Sequence, residues 1–428
     1  MGSRVTRPAT RWKSVWRSER IVVRTRKGWH FHHATSIPRA ISFFMFKTIN
    51  IAINKFPTTP SSLANGTGGI RSSVDIDLAA LYHHYYLDSY GRIPPNPDPA
   101  HFEHVQLLTT QTEFQVRGDG LGSNPATRQH RSNELGQAFF RWFLDQHLNI
   151  PYFAHMHDAL QGRLSNVLNG FKVERISAGD APDYLCASDA NHVFLGEAKG
   201  RIEAISFRSK DFKTWRKQFD RVRVTDPSGV VRSVKGFIVA SRFARESQPR
   251  VKSVLLAEDP ATRGEPFPDG SPSLRNIVVS LHYATVAQKL DQPLLAAALR
   301  TLTTVPPVLQ FQGVIWECLL EPMRGIRFVG GYYQAEDGHD PFVMLPDGRA
   351  SFNPVRPLRL DLAKGTFVGL ELGQFKSIAE GARRGTDALS NLRALDRYPF
   401  IYSAISFLRD GSIIGPAEMF RPITPATF

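Results

Sequence analysis

Residues 182–199 contain Pro182-Asp183-Tyr184 and, after a polar turn, Phe194-Leu195-Gly196-Glu197-Ala198-Lys199. Both apolar stretches read as short strands, and strand residues two apart point to the same face. Glu197 and Lys199 therefore share a face while Ala198 points the other way, and a hairpin between the stretches brings Asp183 alongside them. Two carboxylates and a lysine at one spot suit a divalent metal acting on a phosphodiester. The same residues also fit a surface ion pair on a half-exposed strand, with Asp183 capping a turn. Phe194-Leu195 argues for the first reading, because it implies that the strand is buried where it leads into Glu197.

The flanks extend the pattern. Ser123-Asn124-Pro125 is a helix start, a capping side chain followed by proline at the first helical position. Leu135, Ala138, Phe139, Trp142 and Phe143 recur at helical offsets, which carries the helix to about His147, with Glu134 beside the apolar stripe. Phe171 to Ile176 alternates and reads as a first strand, Tyr184 to Ala187 as a second, and His192 to Ala198 as a third. A second helix is expected from about Ser209 to Val224, then a strand from Val234 to Ala240.

With Pro-Asp at 182–183 and Glu-x-Lys at 197–199 in this order of elements, residues of about 120–245 resemble the PD-(D/E)xK, or restriction-endonuclease-like, nuclease superfamily. The resemblance implies an α/β fold whose α-β-β-β-α-β core carries a mixed sheet. It implies hydrolysis of DNA phosphodiesters with Mg²⁺ (Mn²⁺ as a substitute), RNA being left open. Asp183 and Glu197 would be metal ligands, with the Ala198 carbonyl as a third, and Lys199 would orient the attacking water or neutralise developing charge. Glu134 would add a metal contact from the first helix, and Gln218 would support the site from the second. Some branches place a tyrosine four residues after that glutamine, where this chain has Val222. The resemblance further implies a cytoplasmic restriction or anti-phage defence enzyme, acting as a homodimer or with a partner protein. The alternative is a non-catalytic nucleic-acid-binding or assembly protein that retains the fold.

Charge points the same way, locally. Between Lys199 and Arg223 nine basic residues face three acidic ones, and Arg208, Lys210, Lys213, Arg216 and Lys217 are candidates for phosphate contacts. Phe212 and Trp215 fit either the inner face of that helix or stacking on bases. The net charge of +14 is less informative, because residues 1–60 hold twelve Lys/Arg against the single acid Glu19. This basic arm reads as a DNA-contacting tail or as translated sequence ahead of a start at Met45, and its composition also resembles a transit peptide.

The 428 residues suggest several domains: the arm (1–60), a helical and loop-rich region (61–120), the nuclease-like domain (121–248) and an α+β domain (249–428). Two cysteines, Cys186 and Cys318, support no disulfide framework and fit a reducing, intracellular location. The longest apolar run, Ala40 to Ile53, is broken by Lys47, so no membrane span is expected. Residues 60–75 read as a flexible linker, Asp75 to Tyr90 as a helix, and Gly118-Asp119-Gly120-Leu121-Gly122 as a hinge. Further on, Asn276 to Tyr283 reads as a strand, Thr285 to Leu302 as a helix and Val314 to Leu320 as a strand. Hairpins follow at Asp337-Gly338, Asp347-Gly348 and Asp410-Gly411. His101-x-x-His104 and His155-x-His157-Asp158 have metal-ligand spacings but no companion pair.

Overall fold

The structure, a computed structural model, describes residues 46–90, 104, 107–160, 170–189, 192–260, 262–265, 273–334, 342–344, 350–352, 365–398 and 405–428. The arm up to Met45, His101 and the turns at Asp337-Gly338 and Asp347-Gly348 lie outside them. The chain opens with β1 (Phe46–Asn54), β2 (Ser73–Asp77), α1 (Leu78–Ser89), β3 (Gln115–Val116), α2 (Pro125–Leu148), β4 (Tyr152–His155) and α3 (Met156–Leu160). Next come β5 (Lys172–Arg175), β6 (Tyr184–Ala187), β7 (Val193–Arg201), α4 (Lys210–Phe219), β8 (Val222–Thr225), β9 (Val231–Arg232), β10 (Lys235–Arg242), β11 (Ala244–Arg245) and β12 (Val254–Glu258). Helices α5 (Leu274–Lys289) and α6 (Pro293–Thr301) precede β13 (Gln312–Cys318), β14 (Arg327–Gln334), β15 (Phe342–Met344), β16 (Ala350–Phe352) and β17 (Gly365–Glu371). The chain closes with α7 (Leu372–Arg384), β18 (Ser406–Phe407), β19 (Ser412–Pro416) and β20 (Phe420–Thr427).

A mixed seven-stranded sheet, in the order β2-β1-β12-β10-β7-β6-β4, organises the molecule. β4, β6 and β7 form an antiparallel meander, and β10 joins β7 in parallel after the crossover through α4. Helix α2 begins as its sequence predicts: Asn124 Oδ1 accepts the Thr127 N–H at 3.0 Å, with Pro125 in the first turn. It ends where Asn149 turns left-handed, at φ 57°. Glycines then let α2 lie directly on β7. A Cβ on Gly200 would stand 1.6 Å from the Ser132 carbonyl oxygen, and one on Gly136 would stand 2.3 Å from the Gly200 nitrogen. Phe140 fills the space over Gly196.

A second, six-stranded sheet (β18-β19-β17-β14-β13-β20) is antiparallel throughout. One apolar core runs from Ile49 and Phe139 through α5 to Phe375 of α7 and to Leu370 and Ile414 of this sheet. Trp316, Phe328, Phe367 and Phe420 form a separate cluster there. The described residues, from Phe46 on, form a single compact unit, and the central sheet crosses the boundaries expected at 60/61 and 248/249, since β1 pairs with β12. Among the described residues no helix is long and apolar enough to cross a membrane. Lys47, which interrupts the apolar run, donates from its buried amine to the carbonyls of Thr109 and Gln111.

Several sequence expectations need correction. Residues 172–175 do form a strand, but in a small side sheet with β8 and β9. The first strand of the meander is β4, four residues too short for its alternation to register. The helix expected to Val224 stops at Phe219, because residues 222–225 are taken up by pairing with β5. Asn276 to Tyr283 is helical, within α5, and buried on nearly every side, which removes the polar stripe that marks a helix in a sequence. Residues 75–77 belong to β2, with Asp77 capping α1. Of residues 60–75, expected as a flexible linker, 73–75 belong to β2 and the rest pack as an ordered loop: Leu63 is fully buried, and the Asn65 side chain accepts the N–H groups of Thr67 and Gly69. The 118–122 segment is tied down by a bond from the Gly118 N–H to Glu246. The hairpin at Asp410-Gly411 is present, with Gly411 at φ 86°.

The contact of α2 with β7 generates the first prediction. Gly200→Ala forces backbone against backbone and costs at least the upper part of the ~1–3 kcal/mol range for overpacking. Gly331→Ala, with nothing within 4 Å of its added Cβ, serves as the control. Thermal melts are expected to show a clear loss for the first and little change for the second.

Candidate active site

The meander places Asp183 one residue before β6, just beyond the Tyr184–Gly196 pair, and so opposite Glu197. There the ladder gives way to a side chain: the Ala198 N–H donates to Asp183 Oδ2 at 2.9 Å. Lys199 Nζ stands 3.4 Å from the same oxygen and 2.6 Å from Glu197 Oε1. The structure thus brings Asp183, Glu197 and Lys199 to one point.

Burial separates their characters. The Glu197 side chain is 0 % exposed, Lys199 19 % and Asp183 26 %. This excludes a surface ion pair. Glu197 Oε1 is paired with the Lys199 ammonium at 2.6 Å, while Oε2 makes no hydrogen bond. Burial, and then the Asp183 charge, push the Glu197 carboxyl up to about 8 against the pull of Lys199. For Lys199 burial opposes the charge, but the two carboxylates outweigh it and hold its pKa above the ordinary value.

Helix α4 covers this face. Gly236 and Ile238 of β10 pair with Leu195 and Glu197, and Phe219 of α4 packs over Gly236. Gln218, on the same helix, is buried, with its carbonyl oxygen unbonded. Phe212 and Trp215 are buried as the inner face of α4, so neither is available to stack on a base. Arg208, Lys210, Lys213 and Lys217 are exposed. Arg216 is not one of this set. Its guanidinium is committed to Glu258 of β12, at 2.5 and 2.7 Å, and to the Phe207 carbonyl.

Glu134 is the second departure from expectation. At 100° per residue it stands about 200° round α2 from both Ser132 and Gly136, which face β7. It pairs instead with His130 at 3.3 Å and His104 at 3.8 Å. Among the described residues no three His, Cys, Asp or Glu side chains converge as a metal-holding group. Asp183 and Glu197 are therefore the carboxylates a metal would find. Their chemistry fits Mg²⁺, which takes oxygen ligands, needs only one or two carboxylates and keeps several waters. The buried Glu197 Oε2, which makes no hydrogen bond, supplies a vacant acceptor of the kind such an ion requires.

Behind the site lies a cluster that no spacing announced. Asp88 of α1 accepts from Arg141 at 2.8 Å and from the Tyr184 hydroxyl at 2.9 Å, and His155 Nε2 lies 3.3 Å away. His155 and Arg141 overcome the effect of burial and hold the Asp88 carboxyl well below the usual range. His155 therefore serves this pair, not a metal site. The cluster fixes Tyr184, the residue after Asp183, and its members are scattered over almost a hundred positions. Compared with protein-family models, curated proteins and solved structures, the chain finds no match in any of the three.

The buried carboxyl carries a pH signature. In metal-free protein Glu197 holds its proton to about pH 8, whereas unfolding returns it to an ordinary value near 4.5. Between these values the folded state binds more protons, so this group's contribution to stability falls as pH rises. Glu197→Gln removes that dependence. In EDTA its melting temperature is expected to gain on the wild type from pH 5 to pH 9.

Proposed function

We propose that the protein is a metal-dependent nuclease that hydrolyses DNA phosphodiester bonds. The observation that carries this reading is the fully buried Glu197, paired with Lys199 through one oxygen and unbonded at the other, within one cluster with Asp183. The order α2, β4-β6-β7 meander, α4, parallel β10 supports a restriction-endonuclease-like core. The exposed lysines of α4 support a polyanionic substrate.

In this reading Asp183 and Glu197 hold Mg²⁺ (or Mn²⁺), with the Ala198 carbonyl as a third ligand. The ion, when bound, supplies Lewis-acid stabilisation of charge on the phosphoryl oxygens. Glu197 must give up its proton to become a ligand, and the Lys199 ammonium beside it favours that loss. Lys199 Nζ then presents N–H donors to the attacking water or to the charged phosphoryl group. Burial by α4 keeps bulk water from Glu197 and strengthens each of these interactions. Gln218 steadies this covered face. A place in prokaryotic restriction or defence, in the cytoplasm and with a second copy or partner protein, is an extension resting on the sequence resemblance.

Cleavage of plasmid and single-stranded DNA with Mg²⁺, Mn²⁺ or EDTA tests the proposal. Asp183→Ala, Glu197→Ala and Lys199→Ala are each expected to lower the rate on the order of 100-fold or more. Glu134→Ala is expected to cut like the wild type. Full activity in Glu197→Ala or Lys199→Ala sinks the reading, and metal-dependent DNA binding without cutting favours the non-catalytic alternative.

The charges of α4 separate by the same logic. Lys213→Ala and Lys217→Ala are expected to weaken DNA binding and lower the salt slope by about one each. Arg216→Ala is expected to reduce the melting temperature, because it strands the buried Glu258.

A further inference from the structure

Arg201 and Arg242 end the two parallel strands β7 and β10 and are in register with each other. The pairing Lys235–Phe194 through Arg242–Arg201 runs without a shift, so Arg201 keeps the face of Glu197 and Lys199, and Arg242 keeps that of Ile238 and Ala240. Two guanidinium side chains thus leave neighbouring strands, about 4.8 Å apart, on the face that carries the candidate active site. Like charges directly opposite one another destabilise a sheet, and among the described residues neither arginine has a carboxylate to offset this. Arg201 makes no side-chain hydrogen bond or ion pair with any described residue, and the Nε atoms of both are buried without a partner. Arg242 uses one terminal nitrogen on the Lys252 carbonyl, which is neutral. Both side chains remain partly open to solvent. Arg128 and Arg245 converge nearby, over Gly120 beside Ile202, and add positive potential at this end of the sheet.

We propose that Arg201 and Arg242 together bind a backbone phosphate of the substrate, next to the phosphodiester cut at Asp183, Glu197 and Lys199. Two strand residues span about 6.6 Å, which is comparable to the separation of neighbouring phosphates on one nucleic-acid strand. Guanidinium groups match phosphate oxygens through paired N–H donors. The C-terminal ends of parallel strands are also where open α/β sheets receive their ligands. An anion between the arginines turns their mutual repulsion into attraction, so the pair is both substrate-binding and register-setting. This inference rests on the nuclease reading for the identity of the phosphate, though not for its binding.

The test is made in EDTA, where nothing is cut, with the full chain, a fluorescent single-stranded DNA 12-mer and, separately, sodium pyrophosphate. Arg201→Ala and Arg242→Ala are each expected to bind the oligonucleotide about tenfold more weakly, with the salt slope lower by about one. Pyrophosphate is expected to raise the melting temperature of the wild type and to lose that effect in both variants. In chloride alone their melting temperatures should equal or exceed the wild type's, which separates lost binding from misfolding. Arg201→Lys, which keeps the charge and loses the fork, should bind between the two. Wild-type binding by both alanine variants overturns the phosphate site even if the protein cuts DNA. Loss of both ligands in the variants upholds the site even if cleavage with Mg²⁺ fails and the nuclease reading falls.

Discussion

Along β7 the two faces do opposite jobs, and the rest of the structure follows from that alternation. Gly196, Ala198 and Gly200 present so little side chain that α2 lies against the strand itself, with the Ser132 carbonyl where a Cβ on Gly200 would be. Leu195, Glu197, Lys199 and Arg201 consequently all project to the other side. A one-residue slip of register would send the charged set into α2 and the glycines toward the site. The central strand therefore has a single workable pairing, and the candidate active site is a consequence of it.

The charged face is energetically expensive. A buried carboxylate without hydrogen bonds is among the costliest groups a protein can carry, and Glu197 responds by holding its proton to about pH 8. Glu258 shows the other solution to the same problem. Equally buried, it is gripped by Arg216 and Asn54, and its pKa is lowered. Both residues face α4 from the central sheet, but Glu258 has partners at both oxygens while Glu197 has Lys199 at one oxygen only. A buried carboxyl left partly unsatisfied in this way is a candidate functional group.

The legible parts of the sequence were those where local chemistry and tertiary context agree. Asn124-Pro125 and the stripe from Leu135 to Phe143 declare α2, and Pro182-Asp183 with Glu197-x-Lys199 declares the cluster, because a strand period of two decides who shares a face. What stayed hidden depends on partners far along the chain. Arg216 looks like any helix arginine until Glu258 is brought to it by β12. Glu134 sits beside an apolar stripe, but only the glycine contacts reveal which flank of α2 meets β7. The strand β4 and the buried helix α5 lack the periodicities that betray half-exposed elements. Asp88, Arg141, His155 and Tyr184 meet through three-dimensional packing alone.

Exposure along the charged face of β7 gives the site a direction. Glu197 is sealed, Lys199 is partly open, and Arg201 lies at the strand's end with solvent access. An ion held at Asp183 and Glu197 would rest on one sealed and one partly open carboxylate, beside a strand end that is basic. A phosphate strand entering from Arg201 and Arg242 would meet positive charge first and the metal ligands last. That order sets positive charge ahead of the Asp183 carboxylate, which would otherwise repel a polyanion. The same gradient explains why α4 bears its free lysines outward and its aromatic residues inward. The helix turns Phe212, Trp215 and Phe219 to the interior while leaving its basic side to the solvent.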